Sequence, residues 1–419
     1  MQNDTYDRYD TIIVGGGISG LHTYMRLIDS GIKNIALFEK NDIFGGRIYQ
    51  HEETIFNNDY SIPAGAARFN KNHRNVINLL KRFKLLDFRK DHGFDSSIKF
   101  IDVNNDLLHD SHSTNGYKSI DKIIRFSKKL NNEELRMMTF KDLAYKYLPN
   151  EEVDHMLISC GYSGQLNHMN AYDAVRLFTY GIRSDLKYWN GKFHILVQSL
   201  VRYIKSKGGK LHLNAYISNI KYSNNNFVIN IQGKTIHANN IILCLPQNAL
   251  MKLDHLKPIS CIIQKAITCK PLCRTYAIFK KEDIWFHDLN SKIVTNNELR
   301  YIIPIDSDTG IIMISYTDDK YTSFWKQKKN SQKQLKEAIV HLVKDVFDIE
   351  IKAPSRVIVH YWDCGVGYWN KGINSEVISK FLINPLPNTY ICGENYSMNQ
   401  SWVEGALESS NECVNRFLL

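Results

Sequence analysis

The first residues with a chemical signature are glycines. Gly15-Gly16-Gly17-Ile18-Ser19-Gly20 fits G-x-G-x-x-G with Gly15, Gly17 and Gly20 in the glycine places, and Glu39 follows nineteen residues after Gly20. Glycines so placed permit a tight turn, backbone approach to a pyrophosphate, and close packing of helix on strand. Free amides at the N-terminus of a helix opening at Ile18 and Ser19 then face the phosphates, and the helix dipole favours their negative charge. Glu39, with Lys40 beside it in the same candidate site, can accept hydrogen bonds from both hydroxyls of a ribose, which argues against a 2′-phosphate. The set predicts a dinucleotide site, the alternative being a plain strand-to-helix turn with no ligand.

The flanking segments supply what must position these residues. Thr11-Ile12-Ile13-Val14 has the composition of a short buried parallel strand. Leu21, Tyr24, Met25, Leu27 and Ile28 recur at helical spacing, and Gly31 stands where a helix would end. Ile35 to Phe38 reads as a second strand ending at Glu39, completing a β-α-β unit. At 419 residues the chain can form two sizeable domains or one large interleaved one, and 43% hydrophobic with 23% charged residues is a soluble globular composition. No apolar run is long enough for a membrane span and none near Met1 resembles a signal peptide, so a cytoplasmic location is expected. A net charge of +10 could point to nucleic acid. The lysines, however, are spread among Asn and Ile with no basic tract interleaved with aromatics, so no nucleic-acid partner is expected. Cys269 and Cys273 lie four apart without a second such pair, so no metal is expected. Eight cysteines in a chain this long suggest free thiols in a reducing compartment.

Soon after Glu39 comes Gly45-Gly46-Arg47, and near the C-terminus Gly393-Glu394 closes a β-rich run that is followed by Gln400-Ser401-Trp402-Val403-Glu404-Gly405. With these motifs the chain resembles the flavin-containing amine oxidase superfamily, which includes monoamine, polyamine and L-amino acid oxidases. The resemblance is strong at residues 10–80 and 385–417, fair at 188–250 and weak between. It implies FAD rather than nicotinamide, with Gly46 and Arg47 against the pyrophosphate. It also implies that Pro63-Ala64-Gly65-Ala66-Ala67-Arg68-Phe69 runs beside the isoalloxazine, bringing Ala66, Ala67 and Arg68 to the cofactor. In L-amino acid oxidases an arginine after A-G-x-x holds the substrate carboxylate, and Arg68 occupies that place. The planar guanidinium suits a carboxylate, though Arg68 could instead contact flavin or a neighbouring acid.

Further roles follow from the same resemblance. The backbone of Ile217 would meet adenine, Glu394 a ribityl hydroxyl, and helix amides near Val403 the flavin O2 edge. Trp402 would form a wall of the substrate site, with Tyr368 and Trp369 either near the reactive face or in plain core packing. Many family members carry a lysine bridged by water to flavin N5, and the nearest match here is Arg274. Arginine stays protonated and cannot share a neutral lysine's role, but it could hold the water by charge or bind a substrate acid group. Cys364 lies near where some monoamine oxidases attach flavin. The spacing is only approximate, so non-covalent FAD is the expectation.

The fold class expected is α/β: a Rossmann-type FAD-binding domain (residues 1–88, 188–258 and 356–419) interleaved with an α+β substrate domain that includes a helical subdomain. Residues 89–187 form its largely helical part and 259–355 its sheet and helix. Strands are expected within 90–118, helices from Ser119 to about Tyr180, β-rich runs from Cys261 to Ser315, a helix at Leu335 to Phe347 and a strand at Val357 to Tyr361. The resemblance implies oxidation of an amine or L-amino acid, with hydride passing from the Cα–H to flavin N5. The resulting imine is hydrolysed, and O2 reoxidises the flavin with release of hydrogen peroxide. The expected partners are thus a small amine or amino acid and O2, and a homodimer is admitted. The alternatives are a desaturase or dehydrogenase of the same fold acting on C–C bonds, and a flavoprotein whose FAD is structural.

Overall fold

A computed structural model of the chain describes residues 8–55, 58–87, 98–103, 116–182 and 186–419. Arg8–Val14 lies inside a seven-stranded sheet, between Ile35–Phe38 and Lys234–Leu243 and parallel to both. Lys210–His212 extends one side, pairing in parallel with Ile35–Phe38. Lys234–Leu243 divides its pairing. Its first half meets the antiparallel hairpin of Ile217–Ser223 and Asn226–Ile231, and its last three residues meet Thr389–Ile391 in parallel. The hairpin turns at Asn224 and Asn225, both with positive φ (50° and 58°), as a two-residue primed turn demands.

Side chains alternate across a strand, so neighbouring residues enter different cores. Ile13 and Leu37 pack under the helices Ile18–Asp29, Phe193–Ser206 and Val403–Phe417, while Ile12 and Phe38 face the hairpin and the helix Lys257–Ala266. Burial on both faces explains the unbroken apolar run at residues 12–14.

A second, six-stranded sheet runs in the order Arg356–Trp369, Ile267–Ile278, Ile311–Asp318, Tyr301–Asp306, Ile293–Thr295 and Lys99–Ile101. The helix Gln332–Phe347 covers one face through Leu335, Ile339, Leu342, Val343 and Val346. Helices between Tyr117 and Tyr180 cover the other face. Capping boxes at Asn131/Glu134 and Thr139/Asp142 start two of them by satisfying helix amides that have no intrahelical acceptor.

Two elements depart from the expectations. Residues 257–266, which overlap the run expected to be β-rich, form a helix with proline in its first turn and Ile259, Ile263 and Ala266 on its buried side. The strand expected to end at Tyr361 continues to Trp369. Within 90–118, Lys99–Ile101 is a strand of the second sheet, while 104–115 and the expected boundary at 88/89 lie outside the described residues. No described helix is long and apolar enough to cross a membrane.

Candidate functional site

The glycine turn separates what the protein needs from what a ligand would need. Gly15 has φ +105°, and a Cβ there would lie 2.6 Å from the Cys244 carbonyl oxygen; one at Gly20 would lie 2.0 Å from the Gly15 carbonyl oxygen. A Cβ at Gly17 would meet no protein atom closer than the Gly45 carbonyl oxygen at 3.9 Å. Packing therefore excludes side chains at Gly15 and Gly20, whereas Gly17 borders open space. The helix beginning at Ile18 has no side-chain cap and no acid in its first turn, so the amides of Ile18 and Ser19 open the element toward that space. Gly16 escaped the motif reading, yet a Cβ there would fall 2.6 Å from Phe44 and 2.9 Å from the Cβ of Glu39. The Gly45 amide donates to the Gly16 carbonyl (2.9 Å), and Gly46 at φ +61° leaves only 3.3 Å between its would-be Cβ and the Gly17 Cα. The two glycine motifs form one surface.

Glu39 is buried at the strand end, and its two oxygens accept from the amides of Gly16 (2.7 Å) and Asn41 (2.9 Å). Each carboxylate oxygen retains a lone pair for a ribose hydroxyl. Lys40 is exposed and Ile217 buried; the Ala215 amide donates to the Glu39 carbonyl at 2.8 Å, so Ile217 follows directly on that contact.

Arg47 joins three distant segments. It donates to Glu394 Oε2 (2.6 Å) and to the Gly365 carbonyl (2.9 Å). Glu394 also accepts from the Ser401 amide (2.6 Å) and from Asn395 Nδ2 (2.7 Å). The Gly393 amide donates to Ser409 Oγ (2.9 Å), tying this corner to the helix that opens at Val403. That helix has no side-chain cap. Glu404 in its first turn instead accepts from the amides of Asn75 and Val76, both at 2.9 Å, capping a different helix.

Arg68 starts the short strand Arg68–Asn70, which pairs with Tyr188–Asn190. Among the described residues it has no carboxylate partner. Its charge instead reaches the phenols of Tyr162, Tyr276 and Tyr301, whose pKa values burial raises and Arg68 opposes. The Tyr301 hydroxyl is buried and unpartnered. Arg274 lies under the same segment: it donates to the carbonyls of Pro63 (3.0 Å) and Gly65 and stands 4.5 Å from the Tyr316 ring centroid. Tyr276 Oη also donates to the Pro63 carbonyl (2.9 Å). Sequence reading did not find this phenol group, because its members sit on separate elements that meet only through sheet register.

Trp402 stacks on Tyr188 (6.0 Å) and tilts over His73 (4.6 Å), and its indole N–H is buried without a partner. His73 is held down to about 3 by burial. Its Nδ1 accepts from the Asn70 amide (3.3 Å), a bond that the neutral ring alone can make. Tyr368 is buried in the core shared by the helices and the second sheet, with its hydroxyl 2.6 Å from where a Gly164 Cβ would lie. Trp369 is fully buried in the core of the first sheet. Ala66 and Ala67 line a cavity of about 240 Å³ with Ile48, Tyr49, Phe193 and His194.

The cysteines correct one expectation. Cys269 and Cys364 are joined in a disulfide with a Cα separation of 5.2 Å, so these two are not free thiols and the Cys364 sulfur is already bonded. Ninety-five residues separate them in sequence, but they lie on two paired strands, Cys269 opposite Gly367 and Cys364 in the adjoining register shift.

Fold and sheet topology together define an α/β protein whose Rossmann-type domain is interleaved with an α+β domain. The family model described as "Flavin containing amine oxidoreductase" matches residues 18–418, and the chain belongs to that family. Among curated proteins it is similar to tryptophan 2-monooxygenase of Pseudomonas savastanoi, 35% identical over 71 residues, 17% of this chain and 13% of that one. It is also similar to the flavin-containing amine oxidase of Danio rerio, 30% identical over 87 residues, 20% of this chain and 16% of that one. The matched stretches thus span well under a fifth of those relatives' length. Among solved structures, wild-type putrescine oxidase bound to putrescine superposes with a TM-score of 0.75 at 16% identity, covering 98% of this chain and 99% of that one. Cyclohexylamine oxidase from Brevibacterium oxydans IH-35A gives 0.74 at 14% identity, covering 98% and 100%. These similarities show the shared fold.

Proposed function

We propose that the protein is an FAD-dependent oxidase of L-amino acids, with related amines as poorer substrates, and that its FAD is held without a covalent bond. The observation that carries the substrate class is Arg68, a guanidinium with no carboxylate partner among the described residues, whose charge is felt by the buried phenols of Tyr162, Tyr276 and Tyr301. Burial keeps those phenols protonated, and the unpartnered Tyr301 hydroxyl can donate to an anion, so the surroundings favour a substrate that brings its own carboxylate.

The residues present fit FAD. Gly17 leaves room for a pyrophosphate, the amides at Ile18 and Ser19 face it, Glu39 can take a ribose, and Arg47 adds charge beside Glu394. The bonded Cys364 sulfur favours non-covalent binding. When bound, FAD supplies the hydride acceptor for oxidation at the amine-bearing carbon and a route for the electrons to O2. The chain supplies position and electrostatics. Arg68 fixes the carboxylate. Arg274, always protonated, holds the Pro63 and Gly65 carbonyls and so acts as a positioning residue for the segment ending in Arg68. Trp402, braced by Tyr188, forms a wall that excludes water. The amine reacts uncharged, and none of the buried phenols serves as its base, because burial raises their pKa values.

Peroxide release from a panel of L-amino acids and their decarboxylated amines tests the reading. Amino acids should turn over preferentially, and Arg68→Lys should raise KM for amino acids about 10- to 100-fold, the worth of one charge-assisted pair, with amines nearly unaffected. An equal effect on both classes, or a preference for the decarboxylated amines, contradicts it.

A further inference from the structure

The Cys269–Cys364 disulfide lies against the residues assigned to the flavin. Between the pairs Lys270–Val366 and Leu272–Trp362 the strand register shifts, so Asp363, Cys364 and Gly365 bulge opposite the single residue Pro271. Proline has no amide to tie the bulge down. A Cβ on Gly365 would lie 2.2 Å from that of Leu272, so the bulge backbone presses on the neighbouring strand. The Gly365 carbonyl accepts from Arg47 at 2.9 Å. Asn395 Oδ1 lies 3.5 Å from the Cys364 sulfur and 3.8 Å from that of Cys269, but a disulfide sulfur has no hydrogen to donate, and this oxygen accepts instead from the Gln247 amide at 3.0 Å. The disulfide therefore acts through the Gly365 carbonyl on Arg47, which donates to Glu394 at 2.6 Å.

We propose that this disulfide is a reversible redox latch on flavin retention: intact, it holds the bulge whose Gly365 carbonyl receives Arg47; reduced, it loosens that contact and weakens the flavin site. The inference rests on the reading of Gly17, Glu39, Arg47 and Glu394 as the FAD site. The reductant is a small dithiol or a dithiol protein. Cys269 is half-buried and Cys364 buried, so the attacking thiolate reaches the Cys269 sulfur. The S–S bond breaks, Cys364 leaves as a thiolate and takes up a proton, and a mixed disulfide forms on Cys269. The second thiolate of the reductant attacks that bond, releasing Cys269 as a thiol. The protein gains two electrons and two protons, and the reductant becomes a disulfide.

The test uses the full-length protein with FAD. Alkylation before and after reduction, followed by peptide mass analysis, reports the Cys269–Cys364 bond. FAD dissociation constants are then measured by fluorescence for the wild type with and without dithiothreitol, and for the Cys269→Ser/Cys364→Ser variant. Reduction should raise the wild-type constant about tenfold, the scale of one weakened charge-assisted contact. The double variant should start at the raised value and not respond to dithiothreitol. A bond with a purely structural role would lower the melting temperature on reduction while leaving the FAD constant unchanged, and that result overturns the latch. Absence of the cross-linked peptide also overturns it. Failure of every form to bind FAD would instead overturn the site reading, and the latch with it.

Discussion

Replacing Gly17 with alanine should remove flavin and leave the fold intact. Gly17 caps the first helix with φ −71° and ψ −179°, a conformation any residue adopts, and the nearest protein atom to an added Cβ is 3.9 Å away. Losing a glycine N-cap costs about 0.5–1 kcal/mol, and the reduced freedom of the unfolded chain returns about 0.4–1 kcal/mol. The flavin-free protein should therefore melt within about 2 °C of the wild type. The methyl group would occupy the space left for the pyrophosphate and push it from the helix amides. Two charge-assisted bonds at roughly 1.5–3 kcal/mol each imply at least a 100-fold loss of FAD affinity. Gly20→Ala is the matched control, because its Cβ would lie 2.0 Å from the Gly15 carbonyl oxygen and must force the helix off the strand. It should lower the melting temperature of the flavin-free protein as well as flavin binding. The assay is FAD titration by fluorescence beside a thermal melt of each flavin-free protein. Gly17→Ala binding FAD within threefold of the wild type would refute the reasoning.

Two further outcomes follow from buried groups. His73 is held down to about 3 by burial; between that value and the unfolded value near 6.5 only the unfolded chain binds the proton, so stability drops by about 1.4 kcal/mol for each unit that the pH is lowered. His73→Gln should thus be less stable than wild type at pH 7 and lose that disadvantage by pH 5 in denaturant titrations; a constant gap would show that His73 protonates freely in the fold. Arg274→Met should leave the Pro63 and Gly65 carbonyls without their guanidinium donor, costing roughly 2–4 kcal/mol. It should also raise KM for amino acids as Arg68→Lys does, and an unchanged KM would deny Arg274 its positioning role.

The glycine turns of the candidate cofactor site were legible because backbone geometry dictates them locally. Gly15, Gly20, Gly45 and Gly46 answer to turns and close approaches within a few residues, and Glu39 follows one strand later. The substrate half was less so. Tyr162, Tyr276, Tyr301 and Tyr316 gather around Arg68 and Arg274 only because antiparallel pairing sets Arg274 opposite Tyr316 and the helical layer folds over that sheet. The disulfide was hidden for the same reason, its partners lying on paired strands 95 residues apart. The β-rich run expected from Cys261 overlaps the end of a segment that its proline in the first turn and its buried Ile259 and Ile263 at i, i+4 make a helix.

The most direct measurement is the visible spectrum of the purified protein as L-amino acids and amines are added without oxygen. A bound flavin should show its oxidised bands, bleach on addition of at least one L-amino acid, and recover when air is admitted. An intact flavin that no amino acid or amine bleaches would contradict the assignment as an amine-oxidising enzyme.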